Sequence, residues 1–362
     1  MGPNKINSIQ GLRAIAAGLV VLLHVLGMAE KFSAEQSVLN QFFHFRHFGS
    51  SGVDIFFVIS GFIMTVVSQQ KYGQPSASMH FFKRRLIRIV PMYWFYSSIM
   101  LLLICLPFTL QQSVFDLTFT IRSYFFIPSV NPTSQEMMPL VAQGWTLSYE
   151  MYFYLLFAFF LMFKKGLFLP SISIIFSICI LCGFLYGIAP NSPYRLFTNP
   201  ILIEFLLGCL IGTAYVSRYR FGSLFSVGLI CIGCLGFLAT IIYGKSGYTR
   251  VVDWGLPAAC LVAGIVNLEK AKGFKTPHFL VALGDSSYSL YLYHTFALMV
   301  IGKLMQMGLL SSIPIDLLVV LSLLFCIATG HIAYLCIEKP ITRYFSKHKT
   351  APFSKRQAAI IH

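Results

Sequence analysis

The sequence predicts an all-α, polytopic integral membrane protein, and three observations lead to that prediction. The chain has 362 residues, of which 57% are hydrophobic and only 11% are charged, a composition unlike that of soluble enzymes. Apolar runs recur along the chain, most of them close to the roughly 20 residues that a helix needs to cross a bilayer. Lysines and arginines concentrate in alternate connections between these runs, which is typical of loops retained in the cytoplasm.

The apolar runs predict about ten transmembrane helices in one bundle. The first run is long enough to span and is followed by many others, so we expect it to stay in the mature protein. The eighth run is short for a bilayer core of about 30 Å and is expected to extend into its flanks. The runs lie near residues 10–28, 52–69, 91–108, 145–163, 167–188, 199–216, 222–243, 254–269, 284–305 and 315–337.

The basic residues predict the orientation of the chain. With the N-terminus inside, most of the 27 lysines and arginines fall on the cytoplasmic side, and both termini are cytoplasmic. The net charge of +15 is then explained by topology, and we expect membrane lipids but no nucleic acid as partners. We expect one transmembrane domain over residues 1–345 and a basic cytoplasmic tail over 346–362. The long outer segment 109–144 is too apolar for a free linker and is predicted to be structured.

Metal and redox chemistry are not predicted. All nine cysteines fall within the apolar runs, where small apolar packing residues are the simplest interpretation. His44 and His47 form an HxxH pair, but no clear third ligand accompanies them. We therefore expect no metal site.

Two ionisable residues stand out in the first span. Arg13 and His24 are eleven residues apart, so on a helix they share one face and are separated by roughly 16 Å along the axis. Ionisable groups in hydrocarbon usually face a protein interior or a wet cavity, often one with a function. The alternative is a snorkelling arginine and a histidine that serves only in packing.

A basic segment precedes the third span. Arg84, Arg85 and Arg88 are spaced to bunch on one side of a helix at the cytoplasmic face, and arginine forks match phosphate oxygens. Such a run is also typical of a simple topology anchor.

A carboxylate begins the fourth span. Glu150 and His24 are each expected roughly 8 Å below the outer surface, so they could meet, and a carboxylate beside a histidine favours a general base. Glu150 could instead be a structural partner of an arginine or tyrosine elsewhere in the bundle. In the ninth span His294 is a second catalytic candidate, and Asp285 or Ser286 suits a helix N-cap.

At these positions the chain resembles the membrane-bound acyltransferase-3 family, in particular the bacterial exopolysaccharide and lipopolysaccharide O-acetyltransferases. The similarity covers almost the whole chain, with the motifs in matching order. The motifs are Arg13 with His24, Gly52-Val53-Asp54-Ile55-Phe56-Phe57 through Ser60-Gly61-Phe62, Arg85-Leu86-Ile87-Arg88 with Pro91 and Tyr93-Trp94, Trp145-Thr146-Leu147-Ser148-Tyr149-Glu150, Tyr288-Ser289-Leu290-Tyr291 with His294, and Ile337-Glu338-Lys339-Pro340.

The resemblance implies a multi-pass enzyme of the bacterial inner membrane. It implies transfer of an acetyl group from cytoplasmic acetyl-CoA to a hydroxyl of a lipid-linked or envelope polysaccharide. In that scheme His24 is the catalytic histidine and general base, Arg13 its companion and Glu150 a carboxylate needed for activity. Arg85 and Arg88, with Arg84 beside them, lie on the coenzyme side. Some members add a soluble domain after the helices, and this chain is expected to act without one.

Two other classes of function compete with this interpretation. A transporter or flippase of glycan or acyl intermediates would also carry buried charges, but no internal repeat or matched pair of broken helices is visible. A non-catalytic assembly partner would not explain buried His24 and Glu150 together. Within the enzyme interpretation, direct attack by the sugar is preferred to an acetyl-histidine intermediate.

Overall fold

The described structure consists of helices and the connections between them. It is a computed structural model that describes residues 6–32, 37–41, 43–106, 114–189, 191–217, 221–244, 250–273 and 275–347, and no strand occurs within these ranges. The helices in chain order are α1 Asn7–Phe32, α2 Val38–Gln41, α3 Phe45–Gly49, α4 Ser51–Ser68, α5 Pro75–Cys105, α6 Leu117–Tyr124, α7 Trp145–Leu161, α8 Lys165–Leu185, α9 Arg195–Thr198, α10 Leu202–Val216, α11 Ser223–Tyr243, α12 Leu256–Lys272, α13 His278–Asp285, α14 Ser287–Gln306, α15 Ile315–Ala333 and α16 Lys339–Lys347.

The polytopic membrane class is confirmed. Within the described residues, seven helical stretches are long and apolar enough to cross a membrane, and α10 is a shorter apolar helix. The total of about ten spans and the cytoplasmic termini stay predictions. The seven stretches are Asn7–Phe32, Phe45–Ser68, Pro75–Cys105, Lys165–Leu185, Ser223–Tyr243, Val251–Ala271 and Ile315–Phe345.

Two predicted boundaries differ from the structure. Hydropathy predicts a third span that starts near residue 91, but α5 starts at Pro75 and continues through Pro91. Proline suits the first turn of a helix, where its missing N–H has no helical partner to lose. The arginine segment is therefore part of the helix and does not precede it.

The ninth predicted span is interrupted at Ser286, which has φ −87° and ψ 0°. The predicted cap does not form there, because the Ser286 hydroxyl donates backwards to the carbonyls of Ala282 and Leu283. Asp285 is the last residue of α13. The interruption divides the predicted span into α13 and α14.

The chain folds into two compact units. The first contains the described residues of Met1–Val67 and Leu207–Pro340, and the second contains Ser68–Leu206 with Ile341–Phe345. Most of the predicted tail, residues 348–362, lies outside the described residues. The single-domain prediction and the tail are therefore left as predictions.

Helix α1 is the centre of the first unit. It packs against α3, α12, α13, α14 and α15, and Gly49 of α3, Gly52 of α4 and Gly284 of α13 let their helices approach its backbone closely. A Cβ atom added to Gly49, Gly52 or Gly284 would lie 2.7, 2.3 or 2.0 Å from the carbonyl oxygens of Leu19, Ala16 and Gln10 respectively. Only glycine fits at such distances.

Polar contacts fix both ends of this unit. At the start of α1, the Glu269 carboxylate accepts hydrogen bonds from the backbone N–H groups of Asn7 and Ser8, which satisfies donors that have no helical partner. On α4, the fully buried Asp54 makes a two-pronged ion pair with Arg250 at 2.7 and 3.0 Å. Two-pronged pairs of this kind are strong and directional.

The second unit is built on α5, α7 and α8. At one end the Gly73 N–H donates to the Leu161 carbonyl, which places the loop before α5 beside the end of α7. At the other end the Tyr93 hydroxyl and the Trp94 indole donate to the carbonyls of Ser123 and Tyr124. These bonds hold α6 against α5, so the described part of the outer segment, residues 114–144, is structured as predicted.

Exposed positions on the connections allow the orientation to be tested. In a cysteine-free background, Ser134→Cys and Ser311→Cys should react with an impermeant thiol reagent added to intact cells. Gln70→Cys and Lys164→Cys should react only after the membrane is permeabilised. All four positions are exposed, so labelling reports the side of the membrane and not burial. Labelling of Gln70→Cys in intact cells would show that the orientation is the opposite of the predicted one.

The close contacts on α1 predict a stability difference between glycines. Gly284→Ala and Gly52→Ala should each destabilise the protein by about 1–3 kcal/mol, because the added methyl group meets backbone atoms that cannot move aside. Thermal unfolding of the purified variants in detergent measures the effect.

Gly18→Ala is the matched control for this comparison. Gly18 lies on the same helix, and a Cβ added there meets nothing within 4 Å. This variant should be neutral or more stable by up to about 1 kcal/mol. Equal unfolding midpoints for Gly18→Ala and Gly284→Ala would contradict the close packing of α1.

Candidate active site

The first unit brings two histidines into contact. His24 lies in α1 and His294 in α14, with ring centroids 4.9 Å apart and 3.3 Å between His294 Nε2 and His24 Nδ1. His294 is fully buried, whereas His24 is half-buried. His294 is thus the neighbour of the predicted catalytic histidine within this unit.

Backbone contacts assign the tautomers of both rings. His24 Nδ1 lies 2.8 Å from the Val20 carbonyl oxygen, and His294 Nδ1 lies 3.0 Å from that of Leu290. A carbonyl only accepts, so each Nδ1 carries the proton. His24 Nδ1–H is then shared between the Val20 oxygen and the lone pair of His294 Nε2, which leaves the lone pair of His24 Nε2 for chemistry.

Arg13 lies on the same helix as His24. It is buried, and its guanidinium donates to the Gln10 side chain at 3.0 Å. The eleven residues between the two side chains correspond to roughly 16 Å along the helix axis. Helix α1 therefore holds two ionisable side chains, Arg13 and His24, at different depths.

Arg46 is a further charged residue near His24 that the sequence did not indicate. It forms an ion pair with Glu30 of α1 and lies close enough to His24 to act on it electrostatically. Arg46 and His24 come from different helices, so only the tertiary structure brings them together. The rings of His44 and His47, the HxxH pair, have centroids 6.2 Å apart, farther than the 4.9 Å between the rings of His24 and His294.

The histidines do not assemble a ligand set for a metal ion within the part of the chain that the structure describes. No group of three or more histidine, cysteine, aspartate or glutamate side chains that could hold a metal occurs there. His24 and His294 form a pair, whereas zinc sites in proteins usually take three or four protein ligands.

The second unit contains a cationic cluster, formed by Lys71, Arg84, Arg85 and Arg88. Arg85 is buried, with its guanidinium over the rings of Phe81 and Tyr154 at 5.5 and 5.7 Å. Arg84, Arg88 and Lys71 are half-buried. Lys71 and Arg88 lie close enough to the cluster to interact with it electrostatically. The cluster thus concentrates positive charge at the start of α5.

The cluster is unusual because its cations form no ion pairs with other described residues, although Glu150 lies near enough to act electrostatically on Arg85. None of its four side chains makes a hydrogen bond or an ion pair with another of the described residues. Burial, with the neighbouring charges of Arg84 and Arg85, lowers the pKa of Lys71 to about 8. Half-buried cations without anionic partners are costly, and a bound anion would remove that cost.

Glu150 is connected to this cluster through a tyrosine. The Tyr154 hydroxyl donates to Glu150 Oε2 at 2.7 Å, and Tyr154 also carries the Arg85 guanidinium over its ring. Glu150 therefore has a tyrosine partner, but this tyrosine is four residues along the same helix and not elsewhere in the bundle. The predicted pairing of Glu150 with His24 joins residues of different units and stays a prediction.

Comparison with known proteins places the chain among acyltransferases. A family model described as "Acyltransferase domain" matches residues 6–331. The exopolysaccharide production protein ExoZ of Rhizobium meliloti (strain 1021) is 32% identical over 309 residues, which cover 82% of this chain and 92% of ExoZ. The acyltransferase MdmB of Streptomyces mycarofaciens is 23% identical over 382 residues, covering 96% of this chain and 95% of MdmB.

A second group of relatives is longer than this chain. The O-acetyltransferase OatA of Staphylococcus aureus (strain MRSA252) is 26% identical over 395 residues, and the match covers 99% of this chain but only 60% of OatA. No solved structure matches the chain significantly.

Proposed function

The chain belongs to the membrane-bound acyltransferase-3 family, and from this premise we propose that it is a membrane O-acetyltransferase of the bacterial inner membrane. It transfers an acetyl group from cytoplasmic acetyl-CoA to a hydroxyl of an envelope glycan, either lipopolysaccharide O-antigen or exopolysaccharide. The names of ExoZ and OatA favour a polysaccharide acceptor and an acetyl group. The observation that carries the proposal is the arrangement of His24, whose Nε2 lone pair is open while its Nδ1 is held.

His24 acts as the general base. Its Nε2 accepts the proton of the sugar hydroxyl while the hydroxyl oxygen attacks the thioester carbonyl. The carbon–sulfur bond then breaks, and the imidazolium returns the proton to the coenzyme thiolate. A positioned base contributes about 10²–10⁴ in rate to such a step. The imidazolium is stabilised through Nδ1–H, because the Val20 carbonyl and His294 Nε2 are both acceptors.

His294 is a positioning residue in this scheme. Its own Nδ1–H donates to the Leu290 carbonyl, which keeps the Nε2 lone pair directed at His24. Residues that fix the tautomer of a catalytic histidine contribute to rate without touching the substrate. Arg13 lies on the same helix, roughly 16 Å along the axis from His24. We assign it to the active site together with His24.

The cationic cluster holds the coenzyme. Coenzyme A carries several phosphates, and the fork of an arginine side chain matches phosphate geometry. Arg85 and Arg88, with Arg84 and Lys71, supply four positive charges that form no ion pair with a described carboxylate, and Glu150 acts on Arg85 at longer range. Glu150 and Tyr154 position Arg85, so Glu150 is needed for activity whether or not it also reaches His24.

The low pKa of Lys71 predicts a pH-dependent coenzyme affinity. Lys71 is charged below about pH 8, whereas coenzyme phosphates are fully ionised by that pH, since the second pKa of a phosphate is about 6. The KM for acetyl-CoA should therefore rise as the pH rises from 7 to 9.5. Steady-state kinetics of the purified enzyme across this range measure it.

Two substitutions at Lys71 test whether loss of its charge causes the rise in KM for acetyl-CoA. Lys71→Arg keeps its charge at all these pH values and should abolish the rise in KM. Lys71→Gln should show a high KM that does not change with pH. A wild-type rise that persists in Lys71→Arg would remove Lys71 from the coenzyme site.

The role of His24 predicts a loss of rate without a loss of coenzyme binding. His24→Ala should lower kcat by about 10²–10⁴-fold while acetyl-CoA still binds, and His294→Ala should lower kcat less, with little change in KM. The exposed His278 provides the control, because His278→Ala should retain the full rate. Acetyl transfer from labelled acetyl-CoA to glycan is the measurement.

A single incubation distinguishes the two chemical routes. Purified enzyme with labelled acetyl-CoA and no acceptor should retain no label if the sugar attacks directly. Label on His24 would instead show an acetyl-histidine intermediate. A fully active His24→Ala protein would return this histidine to a packing role.

A further inference from the structure

The second unit forms a cavity at the start of α7. Helix α7 runs from Trp145 at the cavity to Leu161, which bonds to Gly73 beside Lys71. The cavity has a volume of about 300 Å³ and is lined by residues from 126–139, 145–149 and 192–199. This volume is at the small end of the range of ligand sites, about 300–1,000 Å³. It suits a short piece of a larger molecule.

One cation dominates the polar lining. Arg195 is the single charged side chain among the lining residues, and it is half-buried. Within the described part of the chain, its guanidinium makes no hydrogen bond or ion pair. A guanidinium with five donors and no partner in a concave site favours an anionic group.

A buried hydroxyl in the lining also indicates that this cavity binds a ligand. Ser129 lines it, is only 9% exposed, and its Oγ has no hydrogen-bond partner among the described residues. Buried hydroxyls are rarely left unpaired. A ligand hydroxyl or carboxylate in the cavity would satisfy it.

The cavity walls are fixed before any ligand arrives. The Tyr149 hydroxyl donates to the Arg195 carbonyl at 3.3 Å and accepts from Asn199 Nδ2 at 3.1 Å. Trp145 packs edge-on against Tyr149 with ring centroids 5.8 Å apart. Rigid aromatic walls with a few fixed polar groups are typical of sites that recognise small polar ligands.

We propose that this cavity binds a sugar unit that carries a negative charge, so that the acceptor glycan is acidic. The sugar ring packs against Trp145 and Tyr149, its carboxylate pairs with Arg195, and a hydroxyl bonds to Ser129. The inference rests on the proposed function, because it names the class of glycan that the enzyme acetylates. An anionic lipid headgroup shares the chemistry of the charged group and is the other source to be tested.

Ligand-observed NMR titration tests the assignment. The full-length protein in phosphatidylcholine nanodiscs is titrated with a disaccharide ending in glucuronic acid and with cellobiose, its neutral counterpart. The acidic disaccharide should bind about tenfold more tightly or better, because a lost charge-assisted bond typically costs at least that factor. Equal affinities for the two disaccharides would overturn the proposal.

Arginine variants connect the preference to Arg195. Arg195→Gln should reduce the preference to within about twofold, whereas Arg195→Lys should keep part of it. Arg122→Gln is the matched control, since Arg122 is exposed in α6 and does not line the cavity. Unfolding midpoints confirm that each variant is folded. An unchanged preference in folded Arg195→Gln would overturn the proposal.

Two further experiments distinguish an acidic glycan from a lipid headgroup, and this inference from the proposed function. If the cavity takes a lipid headgroup, phosphatidylglycerol in the nanodiscs should abolish binding of the acidic disaccharide to the wild-type protein, and this result would overturn the glycan assignment. Acetyl transfer from labelled acetyl-CoA is measured in parallel. Transfer without any acidic preference contradicts this inference alone, while preference without transfer contradicts the proposed function.

Discussion

The close approach of other helices to the backbone of α1 is the constraint on which the rest of the first unit depends. Gly49, Gly52 and Gly284 meet carbonyl oxygens at three levels of this helix, and side chains larger than hydrogen would push the neighbours away. In lipid, helices gain no hydrophobic stabilisation from associating, so close packing through small residues becomes the main source of attraction. Because α1 carries Arg13 and His24, the same packing sets the depths of both.

Two regions of the second unit carry cations that form no ion pair among the described residues. Burying cations without ion-pair partners is unfavourable, yet Lys71 and Arg85 belong to the cationic cluster and Arg195 lines the cavity. Such an arrangement makes sense when anions arrive as ligands. The proposed acetyl-CoA and acidic glycan would each neutralise one of these regions, so both substrates would also stabilise the folded protein.

Much of the fold and part of the site were predictable from sequence because hydropathy and motifs are local properties. The apolar runs predicted the helices, and the motifs correctly indicated the acyltransferase-3 family. The start of α5 at Pro75 is not visible in hydropathy, because the first turns of this helix are polar and basic. The division at Ser286 was missed because nothing in the hydropathy marks it.

Contacts between distant segments could not be predicted. His24 meets His294 across 270 positions, and Asp54 meets Arg250 across 196, so neither partner is visible in a local pattern. The position of His294 within an apolar span indicated a second catalytic candidate, but not that it would touch His24. Lys71 follows two glutamines in a short connection, and no pattern separates it from a simple topology anchor.

The central proposal is that this protein passes an acetyl group from a coenzyme on one side of the membrane to a glycan on the other. The most direct measurement uses sealed vesicles that contain only the purified protein, with labelled acetyl-CoA inside and an acidic oligosaccharide outside. The account predicts labelled O-acetyl esters on the external oligosaccharide, with no labelled acetyl-CoA released. Transfer that appears only after detergent mixes the two compartments, or no transfer by a folded protein that binds acetyl-CoA, would contradict it.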